Sequence, residues 1–174
     1  MIHKIVLGLL ALGFLALGTP AVAIELNSAD VHDGMPLAVV HNYPRCGGKN
    51  ISPALSWSGI PKNAKSLVLT VIDTAVKPNG WSHWVVIDLP PAAGALAQGA
   101  QGLPMGAHAL KSDFGDLVYA GPCPPAGTGK HTYEFTIWAL PEATAATTDG
   151  SAKIETWLEK HAVAHARLTG TMTP

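Results

Sequence analysis

The sequence predicts a mostly β domain with one helix packed on it at the C-terminal end. Three observations carry this. The 174 residues include 18 glycines and 14 prolines, a supply of turns that suits short strands better than a helical bundle. Three runs, Ser66–Ile72, His83–Leu89 and Thr132–Leu140, are rich in β-branched and aromatic residues, as strands are. Strands and helices do not alternate regularly along the chain, which argues against a parallel, doubly wound sheet. At 48% hydrophobic and 13% charged, the chain is too apolar to be disordered. Eleven Lys and Arg stand against twelve Asp and Glu for a net charge of −1, so there is no basic excess for nucleic acid. Two cysteines cannot staple a disulfide-rich scaffold.

Taken in order, residues 1–23 read as a secretory signal and 24–174 as the folded domain. Lys4 gives the positive start, Ile5–Leu17 an apolar run, and Ala21-Val22-Ala23 the small residues of a cleavage site. The run falls short of the ~20 apolar residues of a spanning helix, so no transmembrane segment is expected after cleavage, and the product is periplasmic or secreted. Leu37–Val40 suggests an early strand. Ser66–Ile72, near-continuously apolar between Asn63 and Asp73, fits a strand buried on both faces. His83–Leu89 ends at Pro90-Pro91, which cannot extend a ladder. Ala92–Ala109, Ala/Gly-rich and without period, reads as a long surface loop. In Thr132–Leu140, Tyr133, Phe135 and Ile137 fall on one face. A helix is expected from a Ser151 cap to about Leu168, stopped by Gly170, with Ile154, Trp157, Leu158, His161, His165 and Leu168 on one stripe.

Common catalytic signatures are absent. There is no G-x-S-x-G elbow and no H-E-x-x-H. Gly129-Lys130 ends like a P-loop, but His131 follows where Ser or Thr is required and Pro124 stands at the first glycine. Asn50-Ile51-Ser52 is a glycosylation sequon followed by Pro53. His161 and His165, four apart, have the helical spacing of zinc ligands, but Ala162 stands where a metalloprotease needs Glu and the stripe is apolar. Asp73 and His83 close and open consecutive strands, so a hairpin brings carboxylate and imidazole to one end of the sheet. His131 opens another strand after the Gly/Pro-rich stretch Gly121–Lys130, a position that suits a pocket mouth.

Three blocks, Gly48–Pro61 (GKNISPALSWSGIP), Ser82–Pro90 (SHWVVIDLP) and Gly121–Leu140 (GPCPPAGTGKHTYEFTIWAL), in this order, resemble the phosphatidylethanolamine-binding protein family. The match is nearest its bacterial Raf-kinase-inhibitor-like branch, which the ending His161–Gly170 also resembles. The resemblance implies an antiparallel β-sandwich with a C-terminal helix and a small anion pocket at one end. By motif, Asp73, Trp81, His83, Gly121, Pro124, Pro125, His131 and Tyr133 fall on the family's pocket positions. It implies a ligand of phosphate type, including phospholipid headgroups; separately, no cofactor and no metal are expected, since no ligand set has recognisable spacing. Asp73 is expected to act through the histidines, holding them protonated, and backbone N–H groups of the Gly121–Pro125 loop to cradle the anion.

The expected protein is thus a secreted binding module that inhibits or regulates another protein, with a serine protease as the more plausible target outside the cytoplasm. The other class is an enzyme: a hydrolase built on His83, His131 and Asp73, or a zinc protein. The family's D-P-D-x-P reads Asp73-Thr74-Ala75-Val76-Lys77-Pro78 here, losing the second acid and gaining Lys77. Thr132 replaces a position often basic in relatives, and Gly170-Thr171-Met172 lacks an aromatic that closes the pocket in many. Cys46 and Cys123 lie in the loops flanking the proposed pocket. They are either paired, as export to an oxidising compartment favours, or two free thiols.

Overall fold

The structure is a computed structural model that describes residues 23–100 and 102–174. Residues 1–22, and with them nearly all of the expected signal, lie outside the described residues. In chain order the elements are β1 (Glu25–Asn27), β2 (Met35–Pro36), β3 (Leu55–Ser58), β4 (Ser66–Asp73), β5 (Trp81–Leu89), β6 (Ala95–Leu96), β7 (His108–Leu110), β8 (His131–Leu140), α1 (Ile154–His161) and β9 (Ala164–Met172). A large sheet runs β2-β9-β8-β4-β5-β7 and a small one β1-β3-β6. All pairings are antiparallel except the short β2–β9 contact.

The apolar pattern explains the layering. Every residue of β4 is buried, as its unbroken apolar run requires. Successive side chains of a strand point to opposite faces, so β4 and β8 feed two cores. Leu67, Leu69, Phe135 and Ile137 pack with Leu26, Leu55 and Trp57 of the small sheet. Val68, Trp138 and Leu140 pack on the other face against Ile154 and Leu158 of α1. The large sheet is the middle of three layers, and the molecule is a sandwich with one helix.

Five expectations change. The helix ends at His161, with Ala162 already extended (φ −71°, ψ 139°), and Ala164–Met172 is a strand. The edge of β8 would otherwise stay open; β9 pairs with it from His131↔Met172 to Ala139↔Ala164, and this ladder overrides a weak helical stripe. Ser151 is not the N-cap, which is Lys153 without a side-chain cap bond; it lies two residues earlier, accepting from Lys153 N at its hydroxyl (3.3 Å) and from Ile154 N at its carbonyl (3.0 Å). Gly170 is not a helix stop but a β9 residue, and a Cβ there would sit 2.4 Å from Leu37 Cδ2. Leu37–Val40 is not a strand: β2 precedes it and a 3-10 turn occupies Val39–His41, because the Val40 carbonyl accepts from Lys49 and Ile51 and folds the chain back on itself. The 92–109 stretch is not all surface loop, since Leu96 of β6 is buried against the core and His108–Leu110 pairs with β5. Strands β1 and β3 were not read from the sequence; at three and four residues they are too short to show a period.

Candidate functional site

The site lies where β4, β5 and β8 end together. Register puts Asp73 between Trp81 and Tyr133 on its two neighbouring strands. The pairing of β4 with β5 slips between Val71↔Trp84 and Ile72↔Ser82, leaving His83 as the extra residue of a bulge. A bulge re-aims side chains, and Trp81 and His83 both line a cavity of about 260 Å³. Asp73, Cys123, Pro124, Pro125, His131 and Tyr133 line it too, with Arg45, Val76 and Phe114 completing the wall.

The structure therefore gathers seven of the eight expected pocket residues; Gly121 is the exception. A Cβ at Gly121 would stand 2.0 Å from the His41 carbonyl oxygen, so this glycine lets two loops pass at backbone contact. Its N–H donates to Asn50 Oδ1 at 2.6 Å, while Asn50 Nδ2 donates to the Tyr119 carbonyl at 2.8 Å. The sequon asparagine thus clamps its own loop to the 119–121 segment. The expected backbone cradle is correspondingly poor: Pro122, Pro124 and Pro125 carry no N–H and that of Gly121 is taken. Cys46 and Cys123 are joined by a disulfide with Cα atoms 5.5 Å apart. It ties the 3-10 turn Pro44–Cys46 to this loop, and Arg45 Nε donates to Cys123 Sγ at 3.3 Å.

The two histidines differ. His131 is buried with both ring nitrogens engaged: Nδ1 to Asp73 Oδ2 at 2.5 Å and Nε2 to Thr128 Oγ1 at 2.8 Å. The Thr128 hydroxyl spends its own proton on the Pro125 carbonyl at 2.7 Å, so its oxygen accepts from the ring. Asp73 Oδ1 accepts from Ala75 N at 3.0 Å. Of the two histidines, Asp73 therefore hydrogen-bonds His131 alone, and the pair braces the loop. His83 Nδ1 donates to the Ala120 carbonyl at 2.6 Å, and its Nε2 has no hydrogen-bond partner among the described residues. Burial is the largest influence on this imidazole and pushes it below its ordinary value of 6.5, against the Ala120 carbonyl, Asp73 and Asp113.

Aromatic rings shape the rest. Phe114 meets Trp81 edge-on at 5.8 Å and His83 at 5.0 Å, and Tyr133 meets His83 at 5.0 Å. The Tyr133 hydroxyl is buried beside Asp73 without meeting hydrogen-bond geometry, and burial first, then the carboxylate, push its phenol above its ordinary range. Sequence reasoning missed Arg45, Phe114 and Asp113. Asp113 Oδ2 accepts from Ser82 N (2.7 Å) and Ala152 N (3.0 Å), which fixes the loop carrying Phe114. None of the three has a local motif; only long-range packing brings them in. Lys77 turns away, donating to the Thr74 carbonyl at 3.2 Å. His161 stacks on Trp157 at 4.1 Å while His165 sits on β9 against Trp138 at 4.8 Å, so the two do not share a helical face. A larger cavity of about 440 Å³ has Lys49 as its one charged lining residue and lacks the smaller pocket's histidines and carboxylate.

Residues 27–173 match the family model described as phosphatidylethanolamine-binding protein. The chain is 36% identical to UPF0098 protein YbcL of Escherichia coli over 138 residues, 74% of this chain and 75% of that protein. It is 40% identical over 128 residues to a protein named putative lipoprotein LppC in Mycobacterium tuberculosis, covering 72% of this chain and 61% of that one. The crystal structure of YbcL, described as a new member of the mammalian PEBP family, superposes with a TM-score of 0.79 at 31% identity over 87% of this chain and 98% of that one. A homologue from Chlamydia trachomatis, CT736, gives 0.70 at 34% identity over 88% and 99%.

Proposed function

The chain belongs to the phosphatidylethanolamine-binding protein family, and from that premise we propose that it is an exported binding module whose pocket between β4, β5 and β8 holds a phosphate-type anion. The observation that carries this reading is the convergence of His83, with one ring nitrogen open, and the Arg45 guanidinium on a single small cavity. Arg45 supplies the positive charge, His83 the directional contact, and the Asp73–His131–Thr128 chain holds the loop that shapes the mouth. Trp81, Phe114, Pro124 and Pro125 exclude water, which strengthens each polar contact inside. Binding is favoured over catalysis because both cysteine sulfurs are in the disulfide and, among the described residues, no hydroxyl stands hydrogen-bonded to His83 as a nucleophile would. Export is supported by the apolar leader and by the disulfide, since such bonds persist in oxidising compartments.

Calorimetry with inorganic phosphate tests the reading. His83→Ala and Arg45→Ala are each expected to weaken binding about 10- to 100-fold, the usual loss for a contact to a charged group. His161→Ala, on α1 far from the cavity, is expected to leave it unchanged. Equal binding by all four proteins would place the anion elsewhere.

A further inference from the structure

We propose that this pocket selects oxyanions that bring their own proton, accepting a protonated phosphate and refusing sulfate and phosphodiesters. The inference rests on the anion-pocket reading and deepens it. A backbone carbonyl only accepts, so the 2.6 Å contact to Ala120 fixes His83 Nδ1 as a donor. In the neutral ring Nε2 then carries a lone pair and can only accept. It is the open ring nitrogen of the pocket, because both nitrogens of His131 are engaged.

The Ala120 carbonyl, Asp73 and Asp113 favour a second proton on the His83 ring, but burial outweighs them. The charged and titratable groups that face it are Asp73 from β4, His131 and Tyr133 from β8, Asp113 from the loop before Phe114, and Arg45 at the rim. Asp73 gives its oxygens to His131 and Ala75 N, and Asp113 Oδ2 is bound to Ser82 and Ala152 N. Burial favours the neutral ring. A bare oxyanion oxygen meeting the Nε2 lone pair is repelled, whereas a P–O–H donates to it while the other oxygens turn to Arg45. Phosphate keeps a P–O–H through neutral pH. Sulfate, alike in shape and charge, does not, and a phosphodiester has none at any pH above strong acid. Sulfate can enter only by bringing a proton onto His83, so its affinity should rise by up to about tenfold for each unit of falling pH until that ring is charged.

The test is calorimetry on the disulfide-intact protein. At pH 7.5 inorganic phosphate is expected to bind at least about tenfold more tightly than sulfate, the worth of one such hydrogen bond, and the gap is expected to narrow at pH 5.5. Equal affinities at pH 7.5 would overturn the proposal and leave the anion pocket standing; no binding of either anion would remove both. Phosphoethanolamine against glycerophosphoethanolamine at pH 6.5 separates a free monoester, whose second pKa is about 6, from a lipid-type diester. Tighter or equal binding of the diester overturns the proposal in favour of a headgroup site. In His83→Gln the amide offers a donor as well as an acceptor, so the phosphate-to-sulfate ratio should collapse toward one; an unchanged ratio in the folded variant overturns the assignment to His83. If that variant does not fold, the pH dependence of sulfate binding to the unaltered protein decides the same point.

Discussion

A methyl group at residue 121 would stand 2.0 Å from the His41 carbonyl oxygen, and one at residue 170 would stand 2.4 Å from a Leu37 methyl. The obstacles differ in kind. Backbone at 41–43 is held by the Tyr43 N to Pro122 carbonyl bond (3.0 Å) and cannot retreat, whereas the Leu37 side chain can change rotamer. Gly121→Ala is therefore expected to cost about 3 kcal/mol or more and to disturb the pocket loop, and Gly170→Ala about 1–2 kcal/mol, within the range of overpacked cores. Urea denaturation of the two variants checks the order. Glu155 illustrates a second residue-level effect. Burial, opposed by the hydrogen bond from Thr70 (2.9 Å), holds its carboxyl above the ordinary value of 4.5. The unfolded chain then releases this proton before the folded one does. The stability cost accumulates as pH rises from 4.5 to the raised value and is full above it. Glu155→Gln keeps an acceptor for Thr70 without the charge. It should melt higher than the unaltered protein at pH 7 and equally below about pH 4, as thermal scans across pH would show. His83 and His131 were equally visible in the sequence, each opening a strand. Their different roles follow from the partners each meets, the Ala120 carbonyl for one and Asp73 with Thr128 for the other.

Elements show the same division between pattern and context. β4, β5 and β8 were legible because burial on one or both faces leaves long apolar or alternating runs. Residues 162–174 were not. His161–Leu168 carries an i, i+4 stripe that suits a helix, yet the chain after Ala162 joins the sheet, because β8 lacks a neighbour on that side until β9 supplies one. Truncation before Ala164 should therefore expose a long edge strand and produce aggregation, which light scattering during refolding would detect. The disulfide joins two elements that no local pattern connects. It closes a loop of 77 residues, worth about 4 kcal/mol in the chain-entropy account. Thiol titration of denatured, unreduced protein should find no free thiol, and the Cys46→Ser, Cys123→Ser double variant should melt lower.

At the scale of the molecule, a small sheet, a large sheet and a helix make three layers with the pocket at one end. Export is expected to release a chain beginning at Ile24, after Ala21-Val22-Ala23. Intact mass of the secreted product checks this, and a membrane-bound species retaining Met1 would refute it. The sequence by itself determined the β-rich class, the central buried strands, the family and seven of the residues that line the pocket, because burial and motif leave marks within a few neighbouring positions. Only the tertiary structure decided which histidine keeps an open ring nitrogen, that Gly121 spaces loops rather than lining the cavity, that Arg45 and Phe114 belong to its wall, and that Ala164–Met172 is a strand. Those outcomes depend on contacts between residues far apart in the chain. The energy of a lone pair, a carbonyl or an open sheet edge is set by whatever folding brings against it.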